Sequence, residues 1–404
     1  MKERIPFGRP FIDAEEEHAV VRVLRSGWLT TGTETLCFEQ EFAAFLDAGN
    51  DGIQQPLRAL AVNSATSGLH LALEAAGVGP GDVVLVPSYT FAATAEVARH
   101  LGAELAFVDV SPGSFLMDIA QLEVTIDRLS AGKTAYVNGG PCGVPRAVIP
   151  VHFAGLSCDM DAIMDKAARS NLTVVEDAAH ALPAPYSGGG FAGTKAHIGV
   201  FSFYATKPLT TGEGGMIVSR DENLLRRMTT MRLHGIDRPI WNRYTGDNAS
   251  WYYEVIEAGY KYNMPDVLAA LGRVQLKRIE ILWSMRKGIA ARYDEAFSAD
   301  ERFIIPPTDS SDARHLYPLR LGPACPISRD ECIRRLQEQY CIGTSVHFIP
   351  LHTMPFYTKR YGIKEDDLPE TMRSFKAEIS LPLCPGMTDS HIKYVIEAVC
   401  NVCR

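Results

Sequence analysis

Between residues 58 and 219, short apolar runs alternate with segments of helical period, and this alternation limits the possible folds more than any other feature of the chain. The runs in LRALAV, GDVVLVP, ELAFVDV, AVIPVHF, VVEDAAHAL, GVFSFYATKP and GEGGMIVS show no regular polar face, so each strand has to be covered on both sides. Intervening helices can cover both faces when the strands run mostly parallel and are joined as βαβ units. The expected architecture is therefore α/β, with a ligand crevice outside the carboxyl ends of the strands.

Two of these runs end in chemistry. VVEDAAHAL delivers Asp177 and His180, and GVFSFYATKP delivers Ser202 and Lys207. A carboxylate, an imidazole, a hydroxyl and an amine from neighbouring strand ends read as a site for pyridoxal phosphate (PLP). That cofactor needs an amine to hold it as a Schiff base and an anion to keep its pyridine nitrogen protonated. Lys207 and Asp177 fill these two roles. Taken singly, each has a plainer reading, Lys207 as a solvated lysine and Asp177 as a helix cap.

The rest of the chain adds parts in order. Asp13 with Glu16 has capping-box spacing and opens an amphipathic helix that closes before Ser26-Gly27. The loop SGWLTTGTE carries Trp28, a candidate pocket aromatic. After a strand over 58–63, the hydroxyl-rich turn with Thr66 and Ser67 enters a helix, whose unpaired amides would cradle a phosphate. Phe91, just past the next strand, is placed to stack on a flat heteroaromatic ring. Residues 131–147, rich in Gly and Pro, read as an exposed loop, and the polar, aromatic stretch 235–258 as a long functional loop. Pro265 opens one long helix to about residue 297, taken as a link between domains. The expected division is a large domain over 1–264, the linking helix over 265–298 and a small α+β domain over 299–404.

A chain of 404 residues with 46% hydrophobic content can bury a sizeable core. Its net charge of −8 and lack of basic clusters argue against nucleic acid as a ligand. No apolar run suits a membrane span, and the start MKERIPFGRPF lacks a signal-type apolar region, so a cytoplasmic location is expected. Nine cysteines without a disulfide framework fit a reducing compartment. Cys400 and Cys403 form a single CxxC without the second pair of a structural metal site, and no metal is expected.

Eight segments, SGWLTTGTE, NSATSGLHLAL, GPGDVVLVPSYTF, VHFAG, VEDAAHA, SFYATKPLTTGEGG, GYKYNM and HFIPLHTMPFY, resemble in that order the DegT/StrS family of sugar-nucleotide aminotransferases. The run from PFGRP through SGWLTTG, with EDAAHA and GYKYN, is most similar to UDP-4-amino-4-deoxy-L-arabinose aminotransferases. The resemblance implies a fold type I PLP-dependent transferase, with a mostly parallel seven-stranded sheet, a smaller C-terminal α+β domain and a homodimer with shared sites. It implies Lys207 as the Schiff-base lysine, Asp177 as the ring-nitrogen partner and His180 beside the phenolic oxygen. Thr66, Ser67 and Ser202 match phosphate ligands, and Phe91 matches the stacking aromatic. GYKYNM departs from the commoner GYNYRM, leaving Lys261 or Asn263 as the residue reaching the partner's phosphate. His347 and His352, with Trp28, are the implied substrate contacts.

The reaction so implied moves an amino group from L-glutamate to a nucleotide-linked keto sugar, with Lys207 as the proton-moving base. A dTDP- or GDP-linked sugar stands close behind a UDP-linked one. Two other readings compete. Dehydratase-like relatives on the same fold replace the lysine with histidine, so Lys207 counts against them, and a non-catalytic binding or regulatory protein would not need Lys207 and Asp177 intact.

Overall fold

The computed structural model describes residues 4–48, 55–137, 139–186, 189–237, 252–307 and 312–404. The expected loop 235–258 lies largely outside these residues. Among the described residues, ten strands fall in two sheets. The larger contains β1 (Arg58–Val62), β2 (Asp82–Pro87), β3 (Glu104–Val108), β4 (Val144–Val148), β5 (Thr173–Asp177), β6 (Ile198–Ser202) and β7 (Gly215–Ser219), in the spatial order β1-β7-β6-β5-β4-β2-β3. The five strands from β3 to β6 are parallel, whereas β7 runs antiparallel to both β6 and β1. The smaller sheet is antiparallel, β10 (Glu378–Leu381), β9 (Tyr317–Leu321) and β8 (Phe303–Ile304).

Helices cover both faces of the large sheet, which accounts for its unbroken apolar strands. On one face the core gathers Leu69, Val84, Val97, Val200 and Ile217, and on the other Val83, Leu85, Ile126, Val148 and Ile163. The helix Ala65–Ala75 lies against β6, and Gly68 makes the approach close: a Cβ there would sit 2.8 Å from Val200 Cγ1. This contact sets where the helix begins relative to Ser202 at the strand end.

The first helix, Ala14–Ser26, has the expected Asp13–Glu16 capping box, and Gly27 ends it at φ 75°. Two other expectations differ. The single long helix after Pro265 is two, Asp266–Lys277 and Ile279–Phe297. They divide at Arg278, whose guanidinium holds Asp13 and Glu16 of the first helix. Residues 131–147 are not one exposed loop. Their last residues start β4, and Tyr136 is tied down by hydrogen bonds between its hydroxyl and the Phe107 backbone. Arg128 donates to the carbonyls of Thr134, Ala135 and Tyr136. A side-chain clamp from the preceding helix carries no periodic signal.

Packing also crosses the division expected at 264 and 298. Ile5 belongs to the core of the small sheet, beside Tyr317, Ile342 and Ile379. Leu351, Tyr357 and Tyr361 instead join the core of the large sheet. Among the described residues no helix is long and apolar enough to cross a membrane.

Candidate active site

The carboxyl ends of β5 and β6, the start of helix Ala65–Ala75 and the segment around His347 enclose a cavity of about 450 Å³, within the range of small-molecule sites. Asp177 is the last residue of β5, and Ser202 the last of β6. The chain then turns, with the Lys207 N–H donating to the Tyr204 carbonyl, and brings Lys207 back toward Asp177.

Asp177 is buried, with 5% of its surface exposed. Its Oδ2 accepts the Thr94 hydroxyl at 2.8 Å, and Oδ1 accepts the Ala179 N–H at 3.2 Å. Burial nevertheless pushes its carboxyl above the usual value, because these donors and the nearby Lys207 ammonium only partly replace water. Burial likewise lowers Lys207 to about 8, against a smaller upward pull from Asp177. Burial works against the charged form of each group. Among the described residues the Lys207 ammonium forms no hydrogen bond.

His180 has a defined tautomer. Its Nδ1 accepts the Ala154 N–H at 3.2 Å, so the ring proton sits on Nε2. Burial, then Lys207 and His347, hold it well below the usual imidazole range, and it is neutral. Ala154 reaches this ring from φ 59°, and Gly155 follows at φ 107°, where a Cβ would lie 2.6 Å from Asp312 Oδ1. The FAG of the VHFAG motif is thus a tight turn that supplies a backbone donor.

Ser64, Thr66 and Ser202 line the opposite part of the cavity. Ser64 caps the helix, accepting the Ser67 N–H at 3.1 Å, and Ser67 returns its hydroxyl to the Ser64 carbonyl at 2.7 Å. Ser67 therefore builds the helix start from beneath and is not part of the cavity wall, while the Ser64 and Thr66 side of the turn faces the cavity. Phe91 is 62% exposed on the wall, its ring 6.0 Å from that of Phe348.

The remaining candidates are dispersed. His347 lines the cavity. His352 does not: it is fully buried, with Nδ1 2.7 Å from Ser88 Oγ, and burial lowers it to about 4. Within one chain this places it in the support of β2 and away from a substrate. Trp28 packs over its own turn, donating from Nε1 to the Thr31 carbonyl at 3.2 Å, outside the cavity wall. Lys261 donates to Asn263 Oδ1, and Asn263 donates to Thr31 Oγ1 at 2.6 Å, also outside it. Among the residues at the site that escaped the sequence reading are Thr94, Ala154, His315 and Phe348. Thr94 falls inside a helix, Ala154 acts through its backbone, and His315 sat in a segment read only as a strand. Its ring lies 4.5 Å from that of His180.

These residues fit the expected cofactor. A buried carboxylate with an incomplete set of donors suits a protonated ring nitrogen, a desolvated amine suits a carbonyl, and a helix start with hydroxyls suits a phosphate. Among the described residues no group of three or more His, Cys, Asp or Glu could hold a metal ion.

The family model described as DegT/DnrJ/EryC1/StrS aminotransferase matches residues 10–400. The chain is 42% identical over 403 residues to the spore coat polysaccharide biosynthesis protein SpsC of Bacillus subtilis, covering 99% of this chain and 97% of that protein. It is 35% identical over 409 residues to UDP-4-amino-4-deoxy-L-arabinose–oxoglutarate aminotransferase of Shewanella sediminis, covering 99% and 98%. The structure is similar to that of Spr1654 from Streptococcus pneumoniae in its PMP-form, at a TM-score of 0.85 and 32% identity over 98% of each chain. The PLP-form of the same protein matches at a TM-score of 0.84.

Proposed function

Because the chain belongs to the DegT/DnrJ/EryC1/StrS aminotransferase family, we propose that it is a PLP-dependent aminotransferase moving an amino group from L-glutamate to C4 of a UDP-linked keto sugar. Such a reaction serves cell-surface or secondary glycan biosynthesis. The observation that carries the reading is the pair on one cavity wall, a half-buried Lys207 brought down to about 8 and a buried Asp177.

When bound, PLP supplies an electron sink for the pair released as a proton leaves the carbon bearing nitrogen. Asp177 would hold the ring nitrogen, and its charge would favour the protonated ring. Thr94 and Ala179 orient that carboxylate. Lys207, with a value near neutrality, both accepts and returns a proton at Nζ, as a general base that becomes a general acid must. His180 would offer its Nε2 N–H to a ring oxygen, Phe91 would stack on the ring, and the start of the helix Ala65–Ala75 with Thr66 and Ser202 would hold the phosphate.

The same reading makes the protein a homodimer with shared sites. Supporting this, Lys261 is exposed and, among the described residues, its ammonium bonds only to the neutral Asn263, which leaves the cation available to a phosphate on a second copy. Trp28 and His352, remote from the cavity of their own chain, would likewise act on a substrate only across such an interface or through the residues they support. The reading includes a cytoplasmic location, which nine free cysteines support.

The test is direct. PLP-loaded protein should be yellow, lose its visible band on borohydride treatment, and form 2-oxoglutarate from L-glutamate with one of a panel of UDP-, dTDP- and GDP-linked 4-keto sugars. Wild-type turnover by Lys207→Ala would overturn the assignment.

A further inference from the structure

His347, Ser380 and Glu378 form a buried hydrogen-bonded chain that ends in the cavity. His347 lines the cavity beside Phe7, its ring 5.3 Å away and stacked. Its Nδ1 lies 2.8 Å from Ser380 Oγ. Ser380 in turn donates to Glu378 Oε1, and Glu378 Oε2 accepts the backbone N–H of His347 at 3.0 Å. Ser380 and Glu378 are both fully buried on β10, with no exposed surface. Among the described residues no ammonium or guanidinium lies within ion-pair distance of the Glu378 carboxylate, and the Nε2 of His347 has no partner.

The donors and acceptors leave only two arrangements. A hydroxyl has a single proton. If Glu378 is ionised, Ser380 gives that proton to Oε1, so Nδ1 of His347 must donate to Ser380 and Nε2 presents a lone pair to the cavity. If Glu378 is protonated, its O–H donates to Ser380, Ser380 donates to Nδ1, and Nε2 presents an N–H. We infer that Glu378 and Ser380 are positioning residues that set whether His347 accepts or donates a hydrogen bond in the substrate cavity, as a proton relay between the cavity and the interior of the small sheet.

The relay is balanced in protons. When the Nε2 proton passes to an acceptor in the cavity, the Ser380 proton moves to Nδ1 and the Glu378 proton to Ser380 Oγ, and the negative charge appears on Glu378. His347 stays neutral throughout, as it must, since burial and then Lys207 lower it to about 4. Burial also raises Glu378 to about 8, so both arrangements are accessible near neutral pH. The charged and titratable groups facing Glu378 are Arg329, Arg320 and Tyr89, and those facing His347 are Lys207, His180 and His315. Arg329 bonds the carbonyls of Phe375 and Glu378 and not its carboxylate.

On the aminotransferase reading, one cavity must take two unlike substrates in turn. The carboxylates of an amino acid need donors, and the hydroxyls of a sugar can use an acceptor. A reversible Nε2 serves both, whereas His180, fixed by the Ala154 N–H, can only donate.

The test is the tautomer of His347 by 15N NMR of the histidine-labelled PLP-loaded protein, assigned with His347→Gln. Glu378→Gln is nearly isosteric, and its orientation is forced. The His347 N–H only donates, so the amide oxygen must face it and the amide nitrogen must face Ser380. Ser380 then donates to Nδ1, and the ring proton is locked on Nε2. Wild type should show Nδ1–H well above pH 8 and convert to the pattern of Glu378→Gln as pH falls, while the variant stays unchanged with pH. Ser380→Ala should abolish the conversion and Ser380→Thr restore it. With L-glutamate alone, the half-reaction of Glu378→Gln should stay within about threefold of wild type, and the half-reaction with the keto sugar should fall about tenfold, the upper end for one neutral hydrogen bond. One tautomer in wild type at every pH, or the same tautomer in Glu378→Gln and in alkaline wild type, overturns the inference. Failure of wild type to react with L-glutamate would instead refute the aminotransferase reading and leave the tautomer result standing.

Discussion

Thr94→Val tests how the cofactor's anionic partner is held. Thr94 is buried and gives its only hydroxyl proton to Asp177 Oδ2 at 2.8 Å, so the Thr90 hydroxyl, 2.9 Å from Thr94 Oγ1, must donate to Thr94. Valine keeps the shape and removes the donor. A hydrogen bond to a charged group contributes about 1.5–3 kcal/mol, here in favour of the ionised carboxyl of Asp177, which burial already opposes. Less of Asp177 is then ionised at neutral pH, and PLP affinity should fall by about 10- to 150-fold. Thr90→Val leaves the Thr94 bond in place and should cost about 2- to 10-fold, one neutral hydrogen bond. Asp177→Asn removes the charge itself and should cost about 100- to 10,000-fold, by analogy with breaking a buried ion pair. PLP dissociation constants from absorbance titration, with the rate of the L-glutamate half-reaction, give the order Asp177→Asn, Thr94→Val, Thr90→Val. If Thr90→Val matched Thr94→Val, or Thr94→Val bound PLP like wild type, the chain of hydroxyls would not be what keeps Asp177 charged.

Two further outcomes concern stability. Lys207→Met combined with Asp177→Asn replaces a poorly solvated pair, half-buried Lys207 and buried Asp177, with neutral groups of similar size, and the apoprotein should gain about 1–4 kcal/mol in urea unfolding at neutral pH. Lys207 is lowered from 10.5 to about 8 on folding, so its penalty develops as pH falls from 10.5 to about 8 and is complete below that; its share of the gain should vanish above pH 10.5. Glu176 accepts the N–H groups of Gly193, Lys195 and Ala196, the Tyr186 hydroxyl and His152 Nε2, all within the interior. Glu176→Ala should therefore cost about 3–5 kcal/mol in thermal or urea unfolding. Burial opposes charge on both partners, yet Glu176 is lowered, chiefly by His152, while Cys158 and Glu176 raise His152. Stability from this pair should be lost as pH falls below 4.5 through the lowered Glu176 value, and again as pH rises through the raised His152 value; a flat profile across both limbs would contradict it.

Much of the site is local in sequence, which is why Asp177, His180, Ser202 and Lys207 could be read from it. They leave the ends of two adjacent parallel strands, and strand ends follow from apolar runs. Thr66 was legible for a similar reason, since a hydroxyl turn after a strand marks a helix start. Ser67 has the same local signature but the opposite use, because a capping box turns its hydroxyl back onto the Ser64 carbonyl. His352 shares a motif with His347 and ends in a different place. The chain passes from the cavity wall to a short turn at Leu351–Thr353, where His352 packs against Ser88.

The sequence alone determined the layered α/β class, the first helix with its cap, and which amine and carboxylate follow the strand ends, because each depends on residue type over a few positions. Only the tertiary structure decided what state those groups are in. Thr94 reaches Asp177 across 83 residues and Ala154 reaches His180 across 26. Lys207 falls to about 8 because distant segments exclude water from it. Charge state depends on solvent and on partners brought together by folding, and neither is written in the order of the chain.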